Sequence, residues 1–287
     1  MKHIRPRKSD DFQMNPPNHR IIESRGYAPI NGLEMYYEVE GTGDPLVYIP
    51  PAFGHAGMKS FPLLAQNHSV ITVDLQGHGR TADIPERPLT LEQHAMDIVA
   101  FLNYFDLPKA DFFGQSYGGN IATLIAVHHP ELVRRVATYG ATFGPPQIAH
   151  NREMLRFDEP PTPDSKAFRF QRESYKSFAP EPDYWPKMWE KIASVRWEGF
   201  SNEALASIKA PVLIALGDHD FVGIEHALET FRRIPNAELA VIPDASHFAP
   251  FSEQEKVIPI ISHFLEKPWN RLPLATAGMG YQPGETR

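Results

Sequence analysis

Ala110-Asp-Phe-Phe-Gly-Gln-Ser-Tyr-Gly-Gly119, continued by Asn120-Ile-Ala-Thr-Leu-Ile-Ala-Val127, decides the fold. The stretch reads as a short buried strand over 110–113, an abrupt turn, and a helix running to His129 before Pro130. The turn carries Gly114-x-Ser116-x-Gly118. A serine at the tip of a strand-to-helix turn sits in strained backbone with its hydroxyl pushed clear of the sheet. Glycines two residues to either side let the strand and helix backbones approach each other. The helix starting at Tyr117 aims its free N–H groups and positive dipole end at whatever Ser116 attacks. The pentapeptide alone arises by chance in about one chain in ten of this length, so its reading rests on its surroundings.

The surroundings alternate strands with helices. Strands are predicted at Leu33–Val39, Pro45–Ile49, Val70–Leu75, Val133–Tyr139, Pro211–Gly217 and Leu239–Ile242. Helices are predicted at Met58–Gln66, from Thr90, at Ile224–Ile234, and after Ser252 and Glu255, which should cap that last helix; Pro259 should kink it. Thr90-Leu-Glu-Gln93 reads as a capping box, opening a helix with an apolar stripe at 91, 95, 98, 99 and 102. Such alternation implies an α/β fold with a mainly parallel sheet covered on both faces. It breaks between about Phe143 and Ser207, a stretch holding three of the four tryptophans, as expected of an inserted helical cap.

The expected organisation is therefore a loose polar arm over 1–28, a core over 29–142 and 208–267, a helical cap over 143–207 and an extension over 268–287. The chain has 287 residues, a net charge of −7 and no cysteine. Disulfides, thiolate metal sites and a thiol nucleophile are excluded. The negative charge gives no footprint for nucleic acid or an anionic membrane. Neither an apolar signal segment nor a bilayer-long apolar run is visible, so a soluble cytoplasmic protein is expected.

Parallel sheets deliver functional residues at the C-terminal ends of their strands. Three such loops carry Ser116, then Gly217-Asp-His-Asp220, then Ser246-His247. Asp218 and Asp220 compete for the acid. Asp218-His219-Asp220 with His226 could be drawn as a metal cluster, but paired ligand spacing is missing. Gly77-His-Gly-Arg80 lacks the lysine-bearing helix start of a phosphate loop.

These motifs, together with Asp74-Leu-Gln-Gly-His-Gly79, His129-Pro-Glu-Leu-Val133 and Ala245-Ser-His-Phe248, resemble those of an α/β-hydrolase, from about Ile30 to Leu265. The chain is most similar to the small capped esterases, lactonases and cofactor-free haloperoxidases. The resemblance implies an eight-stranded, mainly parallel sheet with a helical cap. It implies Ser116 as nucleophile, His247 as base and Asp220 as orienting acid, the last by its place three residues after the strand-ending glycine. It implies an oxyanion hole from the backbone N–H of Tyr117 and of Ala52, or of Phe53 if the register slips. The family's His-Gly-x is replaced here by Pro50-Pro51-Ala52, and neither proline has an N–H to offer.

Trp185, Trp189 and Phe248 are expected to line the substrate cavity. The expected activity is hydrolysis of a carboxylic ester or lactone through an acyl-serine, with no cofactor and no metal. The partner is a small molecule, not nucleic acid or membrane, and a homodimer is allowed. A serine at the elbow argues against haloalkane dehalogenases and epoxide hydrolases, whose elbow carries an aspartate. Carbon–carbon bond hydrolysis and perhydrolysis use the same triad. The altered Pro50-Pro51 loop is the one feature that favours a non-catalytic or single-turnover receptor of the same fold.

Overall fold

The computed structural model describes residues 24–58, 60–145 and 161–269. Asn31-Gly32 joins β1 (Arg25–Ile30) to β2 (Leu33–Glu40), and both turn residues have positive φ, at 48° and 85°. That is the Asn-Gly hairpin turn whose twist matches its strands. The expected arm over 1–28 is thus corrected at its end: the chain is already a strand from Arg25. Residues 1–23 of that expectation lie outside the described residues.

Among the described residues the sheet has eight strands in the order β1-β2-β4-β3-β5-β6-β7-β8, with β3 (Asp44–Ile49), β4 (His68–Val73), β5 (Ala110–Gln115), β6 (Val133–Tyr139), β7 (Val212–His219) and β8 (Ala237–Ser246). All pairings from β4 to β8 are parallel; only β1–β2 and β2–β4 are antiparallel. The fold is the α/β-hydrolase fold, as expected.

The pleat sends alternate residues to opposite faces. Val47 and Phe112 join one core with Ile98 and Phe101 of α1 (Leu91–Tyr104) and Ile121 and Ile125 of α2 (Tyr117–His128). Tyr48 and Phe113 join a second core on the other face, with Val257, Ile261 and Phe264 of the last helix. The five stripe positions predicted on α1 are all buried. Its Thr90 hydroxyl accepts from Gln93 N–H at 3.0 Å, but the Gln93 side chain donates to Asp97 at 3.1 Å. The box is thus half formed: the cap is present, and its return bond is given up to a buried carboxylate.

Two other helix expectations are corrected. The helix predicted over Met58–Gln66 is two 3₁₀ turns, Ala56–Met58 and Leu64–Gln66. Pro62 lies between them; a proline has no N–H for a helical bond and disfavours helical backbone at the residue before it. The last helix divides into a single turn and a long segment, Ala249–Ser252 and Gln254–Glu266. The backbone breaks at Glu253, and the Ser252 hydroxyl donates to the Phe248 carbonyl instead of capping. β8 also runs beyond its predicted end to Ser246.

Between β6 and β7 the described residues form α3 (Arg169–Phe178), α4 (Trp185–Ala193) and α5 (Asn202–Ser207), without a strand. Tyr175, Trp185 and Met188 make a small separate core with Leu89. Lys191 of α4 fastens this segment to the main core, donating to Asp83 at 2.7 Å and to the carbonyls of Ile84 and Arg87. Tyr184 O–H adds a bond to Asp83 at 2.8 Å. The expected C-terminal extension is described only to Trp269, whose ring packs on Phe264. Among the described residues no helix is long and apolar enough to cross a membrane.

Candidate active site

Ser116 sits between β5 and α2 with φ 52° and ψ −117°. A non-glycine residue there costs about 1–3 kcal/mol and persists only where its surroundings enforce it. Here they do. Ser116 N–H donates to the Tyr139 carbonyl at 2.8 Å, and the Ser116 carbonyl accepts from Gly119 N–H at 2.9 Å. A Cβ on Gly114 would collide with the Gly118 carbonyl, and one on Gly118 with that of Ile49. The two elbow glycines are therefore required by close approach of three backbone segments.

His247 follows β8 and is buried. Its Nδ1 lies 2.8 Å from Asp220 Oδ1, which also accepts from Val222 N–H at 2.9 Å. Nδ1–H donates to the carboxylate, so Nε2 keeps the lone pair that a general base needs. Phe221 stacks on the imidazole at 3.9 Å between centroids. The ring also lies over Gly140, where an added Cβ would come within 2.7 Å of His247 Nδ1. Gly140 directly follows Tyr139, whose carbonyl holds Ser116 N–H, so the end of β6 borders both His247 and Ser116. Of the two competing aspartates, Asp220 is 3% exposed and bonded to His247. Asp218 is open to solvent, accepts from Ala245 N–H at 3.3 Å and lies 3.9 Å from His219 Nε2.

The loop after β3 is built differently. Gly54 N–H donates to the Pro51 carbonyl at 2.8 Å, closing a turn around Ala52 and Phe53. Phe53 has φ 62°, at the third position where a type II turn usually places glycine. Its ring is pinned by Trp185 at 5.0 Å and Phe168 at 6.1 Å. Gly54 N–H is spent on closing the turn, and Ala52 and Phe53 inside it each carry a backbone N–H. Asp74 anchors the loop from below, accepting from Ala56 N–H at 2.6 Å and Arg80 N–H at 2.7 Å. Burial pushes its carboxyl up to about 7, against the pull of those two donors.

Three histidines surround this loop. His55 accepts from Gly57 N–H on Nδ1 and pairs its Nε2 with Ser174 Oγ of α3 at 2.7 Å. Burial lowers both His55 and His78 to about 4. Burial also holds His94 well below the ordinary value, beneath the Tyr117 ring at 5.7 Å. Burial thus favours the neutral imidazole in all three.

Of the expected cavity residues, Trp185 is 1% exposed, donates its indole N–H to the Pro163 carbonyl and reaches the site loop through Phe53. Trp189 lies one layer further out, against Phe168 at 6.0 Å. Phe248 is 51% exposed and set edge-on to His247 at 5.6 Å. His226 turns to the Thr142 carbonyl. Among the described residues no three histidine, aspartate or glutamate side chains lie close enough to hold a metal. Sequence reasoning missed Phe221, Gln115 and Tyr139. The available signal was position: Phe221 adjoins Asp220, and Gln115 is a polar residue ending an apolar strand beside Ser116.

The chain belongs to the alpha/beta hydrolase family, whose profile matches residues 41–260. It is 29% identical over 164 residues to 3-oxoadipate enol-lactonase 2 of Acinetobacter baylyi, covering 53% of this chain and 61% of that one. It is 27% identical over 176 residues to bifunctional epoxide hydrolase 2 of Rattus norvegicus, covering 54% of this chain. Of that epoxide hydrolase the match spans only 31%. The crystal structure of the enol-lactonase from Burkholderia xenovorans LB400 superimposes with a TM-score of 0.67 at 20% identity, covering 84% of this chain and all of that one. At that identity the likeness is one of fold.

Proposed function

We propose that this enzyme is a serine hydrolase cleaving carboxylic esters or lactones. The observation that carries the reading is the buried His247–Asp220 pair at 2.8 Å, set across Gly140 from a serine in left-handed backbone. In this reading Ser116 Oγ attacks the substrate carbonyl while His247 Nε2 takes its proton. The oxyanion is held by the backbone N–H of Tyr117 and of Ala52 or Phe53. His247 returns the proton to the leaving oxygen, and the acyl-serine is then hydrolysed by water that His247 deprotonates. Asp220 keeps the imidazole in the required tautomer and stabilises its cation. Helices α3 to α5 act as the cap, with Phe53 as their contact to the oxyanion loop. The similarity to an enol-lactonase supports a lactone as well as an open ester.

The test is multiple turnover on a panel of chromogenic short-chain esters and lactones, beside Ser116→Ala. Labelling by an organophosphonate, mapped by mass to Ser116 and lost in Ser116→Ala, identifies the nucleophile. A wild type that is labelled once but does not turn over supports the receptor reading instead. A Ser116→Ala protein with most of its activity rejects the triad.

A further inference from the structure

Ser116 and His247 hang from strands that are not neighbours, since β6 and β7 lie between β5 and β8. The β7–β8 ladder shifts register after Gly217 and ends at the pair His219–Ser246. The imidazole is therefore carried by backbone just beyond the last ladder pair. Two side chains take hold there. Tyr139, ending β6, donates its O–H to the Ser246 carbonyl at 2.7 Å. Gln115, ending β5, donates its amide to the His247 carbonyl at 3.0 Å. The other end of that amide accepts from Tyr48 O–H of β3, at 3.3 Å. A carbonyl can only accept and the Tyr48 hydroxyl has a proton to give, so the amide orientation is determined by its partners. Gln115 and Tyr139 are fully buried. Both also hold the nucleophile: Gln115 precedes it in the chain, and the Tyr139 carbonyl accepts its N–H.

We propose that Gln115 and Tyr139 are positioning residues for the catalytic histidine, clamping the Ser246 and His247 carbonyls so that the imidazole keeps its reach to Ser116. The inference rests on the triad reading above. Each residue binds the serine's backbone on one side and the histidine's on the other, so the two reacting groups share one frame. A misplacement of about 1 Å between reacting groups can cost on the order of 10²-fold in rate. Neither residue touches substrate, so the cost should fall on the chemical step and not on binding.

Gln115→Leu and Tyr139→Phe test this, the second removing a single oxygen atom. Melting temperature, kcat and KM on a chromogenic short-chain ester, and the rate of organophosphonate labelling are measured for each. The expected result is a folded protein with kcat down about 10- to 100-fold, KM within about threefold, and labelling slowed in parallel. The double variant should lose less than the product of the two single losses, because both release one loop. Wild-type kcat in a folded Tyr139→Phe overturns the proposal, as does a loss confined to KM. If Gln115→Leu fails to fold, Tyr139→Phe carries the test alone. Ser116→Ala separates the two readings: if it is inactive while both clamp variants run at wild-type rate, only the clamp is rejected. If it stays active, the triad itself is rejected.

Discussion

The loops after β7 and after β3 would serve the proposed site by opposite means. The β7 loop presents a side chain: Asp220 is buried, accepts a backbone N–H from Val222 and reaches His247. The β3 loop presents backbone: Gly54 closes a turn, Phe53 takes the strained third position, and packing under Trp185 keeps it there. A side chain can be replaced by an isostere with its surroundings intact. A backbone donor is tied to the geometry of the whole turn, which is why that loop needs Asp74 beneath it and α3 and α4 above it.

The largest effects should come from the side-chain end. His247→Ala should lower kcat by about four to six decades in a protein with wild-type melting behaviour, and adding Ser116→Ala should cost little more, because a triad acts as one unit. Steady-state kinetics of both single variants and the double check this. Near-additive losses would show that the two residues work separately.

Next in size is the contrast within one loop. Asp220→Asn should cost up to about 10⁴-fold, by destabilising the useful tautomer of His247. Asp218→Asn, at an exposed carboxylate, should change kcat by less than about threefold. The reverse ranking, read from the same assay, would move the acid and break the comparison.

The backbone end is sharpened by Ala52→Pro. Ala52 occupies the second position of the turn, where proline is favoured, so the variant should fold and melt normally while losing one N–H. If Ala52 is the donor, kcat should fall about 10²- to 10³-fold, the usual loss for one oxyanion donor, with binding of a substrate analogue retained. Unchanged kcat would assign the role to Phe53. Proline at 53 cannot serve as a control, because φ 62° is closed to it.

The smallest effect is on stability in acid. Burial depresses His55 and His78 to about 4 in the folded state, against about 6.5 in an open chain. Between those values the unfolded chain binds more protons, so stability is full above pH of about 6.5 and falls progressively towards about 4. Asp74, raised to about 7, takes up a proton on folding in the same range and offsets part of the loss. His55→Asn should therefore flatten the melting temperature plotted against pH over that window. An unchanged slope would mean that His55 is not held neutral at the loop.

Much of this was legible from neighbouring residues. The elbow, the Thr90 cap, the α1 stripe and the alternation of strands are local patterns, written in positions one to four apart, and each appears in the structure. Even the β1 hairpin has a local signal, Asn31-Gly32, that the sequence reading passed over. The helix predicted over Met58–Gln66 failed across Pro62, which has no N–H for a helical bond.

What the chain alone determined is the order of its elements and the residue types at the strand ends, because both follow from short-range sterics and periodicity. Only the tertiary structure decided which partner each residue meets. Asp220 and Asp218 are two residues apart and chemically identical, and burial beside His247 separates them. Phe53 adopts left-handed backbone while held by rings more than a hundred residues away in the sequence. Gln115 finds the His247 carbonyl across two intervening strands. Such contacts depend on how the sheet stacks and twists as a whole, and no local preference of glutamine, phenylalanine or aspartate encodes them.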